Sequence, residues 1–461
     1  MVGGGIAGLA TAYELSQRGV SFVVLERAPR AGGVILSEEV EGFTIDGGPD
    51  SLLIQKPEAI ALCKDIGLGD RLVSTLPPRM AYILRGGRLH ALPAASVLGI
   101  PTRFGPFLRT TLFSWAGKIR MGRELFIAPR LDAADESIGA FMTRRFGQEA
   151  TTYLAEPLLA GIHAGDVDRL SIRALFPRLA DAERKHGSLL KAFRPIGNPI
   201  RNPQSAIHTT EGAFKSLPGG LSEMVTALVT ALGDGAVRTN TGVNAITGEG
   251  PFVVRTAAGE AIDARAVVIA TPAYATSVLM RERDAELARL AGEIPYASAA
   301  TVALAFKRRH VSHPMTGSGF VAPRVENTGL LAASWLSSKW PNRAPENRAL
   351  LRTFIGGARD PKALERSDAE LVELSMAALR PLMGISGGPL FSRVYRWERA
   401  NAQHEVGHLE RMAAIERALA HHPGLFITGS GFRGVGIPDC VADGRNTGTA
   451  AAAFLQLELG S

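Results

Sequence analysis

Residues 1–33 read MVGGGIAGLATAYELSQRGVSFVVLERAPRAGG. Gly3, Gly4, Gly5, Ile6, Ala7 and Gly8 give the spacing G-x-G-x-x-G. Apolar residues then recur at helical spacing from Leu9 to Leu15, and Gly19 ends the helix. Ser21 to Leu25 reads as a buried strand that ends at Glu26. Such glycines let the backbone approach a pyrophosphate at a helix N-terminus, where free N–H groups and the helix dipole favour an anion. Glu26 lies 18 residues past Gly8, where a carboxylate accepts hydrogen bonds from ribose hydroxyls. A tight turn that merely needs small residues leaves this acid unexplained. The stretch predicts a dinucleotide site. Only Met1 and Val2 precede the loop, whereas a central strand needs about five residues. The expectation is that the natural chain carries several more apolar residues upstream.

With 461 residues, the chain has room for about three domains, or two with insertions. Hydrophobic residues make up 46%, enough for a large core. The net charge is +7, but the basic residues are spread along the chain, which argues against a nucleic-acid surface and favours anionic substrates or lipid headgroups. Cys63 and Cys440 are far apart and lack metal-ligand spacing. They exclude a disulfide framework, suggest no metal site, and fit a reducing cytoplasm. No apolar run of about 18 residues is present to span a bilayer.

Further segments point back to the nucleotide. Gly32-Gly33 follows the ribose acid, and residues 43–51, FTIDGGPDS, bring another glycine-rich turn. Residues 217–232 read as a turn and an amphipathic helix. A buried strand then enters Thr271-Pro272, and residues 424–455 read as strand, glycine-rich loop and a long helix starting near Pro438. That helix N-terminus suits an electron-rich ring. Residues 295–410 alternate strand-like stretches with a helix near 367–380, as in a sheet-based substrate domain. Residues 96–126 mix Phe, Leu and Trp with Arg and Lys. They read either as ordinary helical packing or as a membrane-surface docking region.

Several motifs carry a resemblance: Gly48-Pro49-Asp50-Ser51-Leu52, EPLLAGIHAGDVDRLS (156–171), SLPGGL (216–221), SSKWPNRAP (337–345), VGH (406–408) and GFRGVGIPDC (431–440). On these the chain resembles the oxygen-dependent protoporphyrinogen/coproporphyrinogen oxidases of the flavin amine oxidase superfamily, over nearly its full length. The segment 156–171 is the most specific, because general amine oxidases do not share it. The resemblance implies FAD as cofactor and an oxidoreductase acting on CH–CH or CH–NH bonds. It implies oxidation of a porphyrinogen to a porphyrin in haem biosynthesis, with O2 as acceptor and H2O2 released. Coproporphyrinogen III is slightly preferred over protoporphyrinogen IX. Another flavin amine oxidase or desaturase-like enzyme, or a non-catalytic flavoprotein, is the more distant alternative.

The implied FAD contacts are Gly3 to Gly8, Glu26, Arg27, Gly32, Gly33, Gly48, Pro49, Asp50, Ser51, Val243, Thr271, Ser430, Val435, Gly436 and Ile437. No catalytic residue is assigned, since the flavin carries the chemistry. Arg79, Gly161, Trp335 and Trp397 are expected at the substrate. In two places the chain departs from the family. Ala402 and His404 flank Gln403 where members carry a proline and an aromatic, and Ala81 precedes Tyr82 where some members place arginine. The implied fold is mixed α/β. Residues 1–75, 205–275 and 415–461 form a discontinuous Rossmann-like FAD-binding domain, 76–95 and 276–414 a mixed-sheet substrate domain, and 96–204 an inserted helical, membrane-docking domain. A homodimer and hand-over of product to a chelatase remain open. The expected location is the cytoplasm, peripheral to the inner face of the cell membrane.

Tempting residues have plainer readings. His163 and His404 read as structural hydrogen-bonders before acid–base groups. Cys440 reads as a small core residue before a reactive thiol. Trp335, Trp340 and Trp397 divide between macrocycle pocket and core. Asp166 and Asp168 read as turn residues.

Overall fold

The computed structural model describes residues 1–93, 96–97, 100–101, 103–130, 132, 134–193 and 212–459. The parts of the expected domain segments at 194–211 lie outside the described residues. The architecture is mixed α/β. Helix Ile6–Gln17 follows the glycine loop directly, and its residues Leu9, Ala10 and Ala12 are fully buried. Val2 sits in parallel bridges between Leu25 and Ile269. Val24–Leu25 pairs parallel with Val237–Arg238, and Val267–Ile269 pairs parallel with Leu425–Ile427. A parallel sheet buried on both faces needs continuous apolar strands, as Val24–Leu25 and Val267–Ile269 are. The strand expected over 21–25 forms its ladder only at Val24–Leu25.

The C-terminal helix Ile437–Leu459 lies along Ile6–Gln17. Glycine makes that approach possible: a Cβ on Gly444 would stand 2.4 Å from the Ala7 carbonyl oxygen. The Thr11 hydroxyl donates to the Gly444 carbonyl across the same contact. The first and last segments of the chain thus meet at one place.

A second sheet has seven strands. Five lie between Tyr296 and Ala402, and Ala81–Arg85 with Arg88–Ala91 adds the last two. Its long strands alternate. Ala300, Val302, Leu304 and Phe306 pack with Leu371, Met376 and Leu379 of helix Asp368–Met383. Ala303, Ala305 and Leu350 face the other way, onto Phe43, Ile45 and Trp340. That second face abuts the glycine-rich turn. A separate helical core holds Phe107, Met121, Phe141, Leu154, Leu170 and Leu189.

Residues 276–294 and 408–414 fall within the expected substrate-domain segment. Leu287, Leu290 and Met412 pack with Val2, Ile269 and Leu425, so the amphipathic helices Ala285–Gly292 and His408–Leu419 cover the parallel sheet.

Candidate functional site

The loop Gly3–Gly8 is a tight turn that opens at a helix start. A Cβ on Gly8 would meet the Gly3 carbonyl oxygen at 2.1 Å, so the turn from strand to helix admits no side chain there. A Cβ on Gly5 would meet nothing within 4 Å. The helix begins after Gly5 with no side-chain cap, which leaves the N–H groups of its first turn for a ligand. Glu26 accepts the Gly4 N–H at 2.7 Å on one carboxylate oxygen and the Ala28 N–H at 2.8 Å on the other. Its remaining lone pairs suit ribose hydroxyls. Thr241 and Asn240 donate backbone N–H groups to Glu26 and Ala28, which brings Arg27 and the strand opening at Val243 to the same end. Gly32 donates to the Gly4 carbonyl, and Thr271 lies beside Gly3. An open cradle, an uncapped helix start and a seated carboxylate fit the adenosine and pyrophosphate parts of FAD.

The second glycine turn is held from the sheet. A Cβ on Gly47 would strike the Tyr395 ring at 2.5 Å, and one on Gly48 would meet the Val34 carbonyl oxygen at 1.9 Å. The Trp397 indole donates to the Gly47 carbonyl at 2.9 Å, and the Thr301 hydroxyl donates to the same oxygen. Arg352 donates to the carbonyls of Asp46 and Gly48. Asp50 is buried and accepts from Lys339 at 2.8 Å and from the Trp340 indole at 3.2 Å. Burial pushes its carboxyl upward, but the charges of Lys339 and Arg352 outweigh this and hold it far below the ordinary carboxylate range. The Asp50 side chain therefore fixes the turn. Ser51 donates its hydroxyl to Asp50, and Pro49 joins Gly48 to this anchor.

The motif 156–171 ties three regions together. Thr151–Ala160 is a π-helix containing Pro157, and Gly161 follows it. Glu156 pairs with Arg359 at 3.0 Å, and Ala358 donates to the Ala164 carbonyl. Gln403 donates its side-chain amide to the His163 carbonyl, and Ser171 donates to the His404 carbonyl. The rings of His404 and His408 stack at 3.8 Å. Their Nε2 atoms lie 3.1 Å from the Ser430 carbonyl and 2.8 Å from the Phe432 carbonyl. A carbonyl only accepts, so both rings carry a proton on Nε2. Burial, then the neighbouring His408, lowers the pKa of His404 to about 3. Burial, then Lys56, lowers that of His163 to about 4. Both rings are neutral near pH 7. The stack braces the loop Ser430–Val435 that leads through Gly436 into the helix at Ile437. Cys440 is buried, and its thiol is pushed up to about 12, as expected of a packing residue.

Of the four expected substrate residues, Trp335 lies on a different face of the sheet from Trp397. Trp335 is fully buried on the helix-covered face of the sheet, against Tyr82 and His313. Strand alternation points it away from the face that carries Trp397. Arg79 donates to the Thr75 carbonyl at 3.0 Å. Sequence reasoning gave no role to Arg352, Tyr395, Thr301, Lys339 or Arg343. Lys339, Trp340 and Arg343 lie within the quoted motif 337–345, and a lysine, a tryptophan and an arginine so close together signal a buried polar anchor. Arg343 pairs with the buried Asp46 at 3.0 Å. Among the described residues, no cluster suits a metal ion, and no helix is long and apolar enough to cross a membrane.

This fold and site define a flavin-dependent oxidoreductase that uses FAD. The family model for flavin containing amine oxidoreductase matches residues 6–452, and the chain belongs to that family. It is 35% identical over 463 residues to coproporphyrinogen III oxidase of Bacillus subtilis (strain 168), covering 99% of this chain and 98% of the relative. It is 29% identical over 492 residues to chloroplastic protoporphyrinogen oxidase 1 of Spinacia oleracea, covering 99% of this chain and 84% of the relative. A solved structure from Exiguobacterium sp. 255-15 matches with a TM-score of 0.86 at 30% identity, covering 98% of each chain.

Proposed function

We propose that this chain oxidises a porphyrinogen to a porphyrin in haem biosynthesis, with coproporphyrinogen III favoured over protoporphyrinogen IX. The carrying observation is the full-length likeness, at 35% identity, to the Bacillus subtilis coproporphyrinogen III oxidase. Bound FAD supplies the hydride acceptor. The protein binds, orients and excludes water. Gly3 to Gly8 and Glu26 hold the nucleotide end. Arg352, Trp397 and Thr301 fix Gly47-Gly48 through carbonyl oxygens. The stacked His404 and His408 fix Ser430 and Phe432 from the other side. Trp397 and the π-helix end at Gly161 belong to the substrate side in this reading, as does Arg79. The FAD contacts, the division into three domains, O2 as acceptor with release of H2O2, a homodimer and hand-over to a chelatase are parts of the same proposal. The test is kcat/KM for both porphyrinogens under matched detergent. A tenfold advantage for protoporphyrinogen IX reverses the substrate assignment.

The same reading places the protein in the cytoplasm, at the inner face of the cell membrane. Leu108, Trp115, Ile119 and Phe126 are exposed, Phe126 by 87%. Trp115 and Ile119 are one helical turn apart on Trp115–Gly122, with Arg123 exposed just beyond. Apolar residues rimmed by basic ones suit the headgroup region of an anionic bilayer.

A further inference from the structure

A cleft at one end of the seven-stranded sheet gathers positive charge with no carboxylate in its lining. It measures about 690 Å³, within the range of small-molecule sites, and is lined by Lys307, Arg308, Arg309, Val311, Asn347 and Arg348. It lies apart from Gly47 and Gly48. Strand Tyr296–Lys307 begins beside them, with Ala299 opposite Trp397, and ends at the cleft. The eight residue steps from Ala299 to Lys307 span about 27 Å.

Lys307 and Arg348 are direct cross-strand partners. Like charges placed opposite each other in a ladder are destabilising. Arg309 is exposed in the short helical turn that follows. Among the described residues, the side chains of Lys307, Arg309 and Arg348 enter no hydrogen bond or ion pair. Arg308 donates to the Val311 and His313 carbonyls, which fixes its position but leaves its charge uncompensated. Glu346 adjoins the cleft in sequence, and Glu41 lies in a turn packed on Pro345, yet neither pairs with these cations. Elsewhere on this protein arginines are commonly paired, as Arg289 is with Glu286 and Glu293.

Four cations line the cleft and no acid does, a lining that offers forked and point-charge donors to clustered oxygens. We propose that this cleft is a second ligand site, for a small molecule carrying clustered oxyanions, either carboxylate or phosphate. The site acts apart from the flavin chemistry, and occupancy relieves the Lys307–Arg348 repulsion.

The test uses the FAD-loaded protein. Inorganic pyrophosphate is titrated by calorimetry. Coproporphyrin III and its tetramethyl ester are titrated by fluorescence, and a second, salt-sensitive phase is sought. The variants are the Lys307→Gln/Arg348→Gln pair and, in case the pair does not fold, the single Arg309→Gln in its exposed turn. At least one of the two anions should saturate the wild type at this second site. Its affinity should fall at least tenfold in the pair and severalfold in the single variant, and should weaken with added salt. The uncharged ester should show no second phase, and kcat/KM for the porphyrinogen should stay unchanged. A response to pyrophosphate alone assigns the site to phosphates, and a response to coproporphyrin III alone assigns it to polycarboxylates. Saturation by neither anion, or equal affinity in wild type and variants, overturns the proposal.

Discussion

Lys339 and Asp50 meet at 2.8 Å in the interior, with Arg352 facing the same carboxylate at 3.4 Å. The contact joins the motif 337–345 to the glycine turn at the cofactor. Removing one member of a buried ion pair strands the other, at a cost of roughly 3–5 kcal/mol. Asp50→Asn should therefore lower the melting temperature and loosen flavin retention at neutral pH. The carboxyl is depressed in the folded state, so its contribution is full above the unfolded value of about 3.9 and fades as pH falls below it. The stability gap between wild type and Asp50→Asn should shrink between about pH 4 and pH 2 in denaturant melts. A gap independent of pH would contradict the assignment.

Gly5 and Gly8 should separate binding from folding. Gly5→Val adds its side chain to open space, so the protein should fold with a near-normal melting temperature yet release its FAD. Gly8→Ala drives a Cβ into the Gly3 carbonyl, so it should fail to fold or melt far lower. Retention of flavin by Gly5→Val, read from absorbance after gel filtration, would remove the pyrophosphate from this loop.

His404 should leave a signature in acid. Its folded pKa of about 3 lies below the unfolded value of about 6.5. The unfolded chain then binds the extra proton, so stability attributable to this ring is whole above about pH 6.5 and drains as pH falls toward 3. His404→Asn keeps an N–H donor for the Ser430 carbonyl but does not titrate. Its stability curve should be flatter by up to one proton across that window, with flavin retained at pH 7. A curve parallel to wild type would place the ring in water.

These groups show how far the chain could be read in advance. The loop Gly3–Gly8 and Glu26 are legible because the nucleotide fold writes them within one short stretch. Asp50 stood out as part of a glycine turn, but its partner Lys339 is 289 residues away, and nothing local in the sequence links them. Arg352 sits inside the apolar run ALLRTFIGG, where only the assembled sheet shows that it reaches Gly48. The face that Trp335 takes was not legible, because composition reveals an aromatic but not which side of its strand it occupies. Which side of a strand is buried depends on register, and register is set by strands distant in sequence. The helices at 285–292 and 408–419 are amphipathic on any reading, yet their apolar faces do not say which sheet they cover.

The exposed residues Trp115, Ile119 and Phe126 should govern bilayer contact. Wild-type protein should sediment with vesicles rich in anionic lipid and lose that binding as salt rises. Replacing all three by Ser should reduce sedimentation severalfold while leaving activity toward a detergent-dispersed substrate unchanged. Equal sedimentation of the variant would reject this surface.

Flavin reduction in the absence of oxygen tests the central claim most directly. The FAD-loaded protein is mixed anaerobically with coproporphyrinogen III, and the oxidised flavin band is followed by stopped flow. The account predicts single-exponential bleaching whose rate saturates with substrate, with porphyrin fluorescence appearing only after O2 is admitted to reoxidise the flavin through the three two-electron steps that a porphyrin requires. A flavin band that persists with both coproporphyrinogen III and protoporphyrinogen IX, in protein shown to hold FAD, would contradict it.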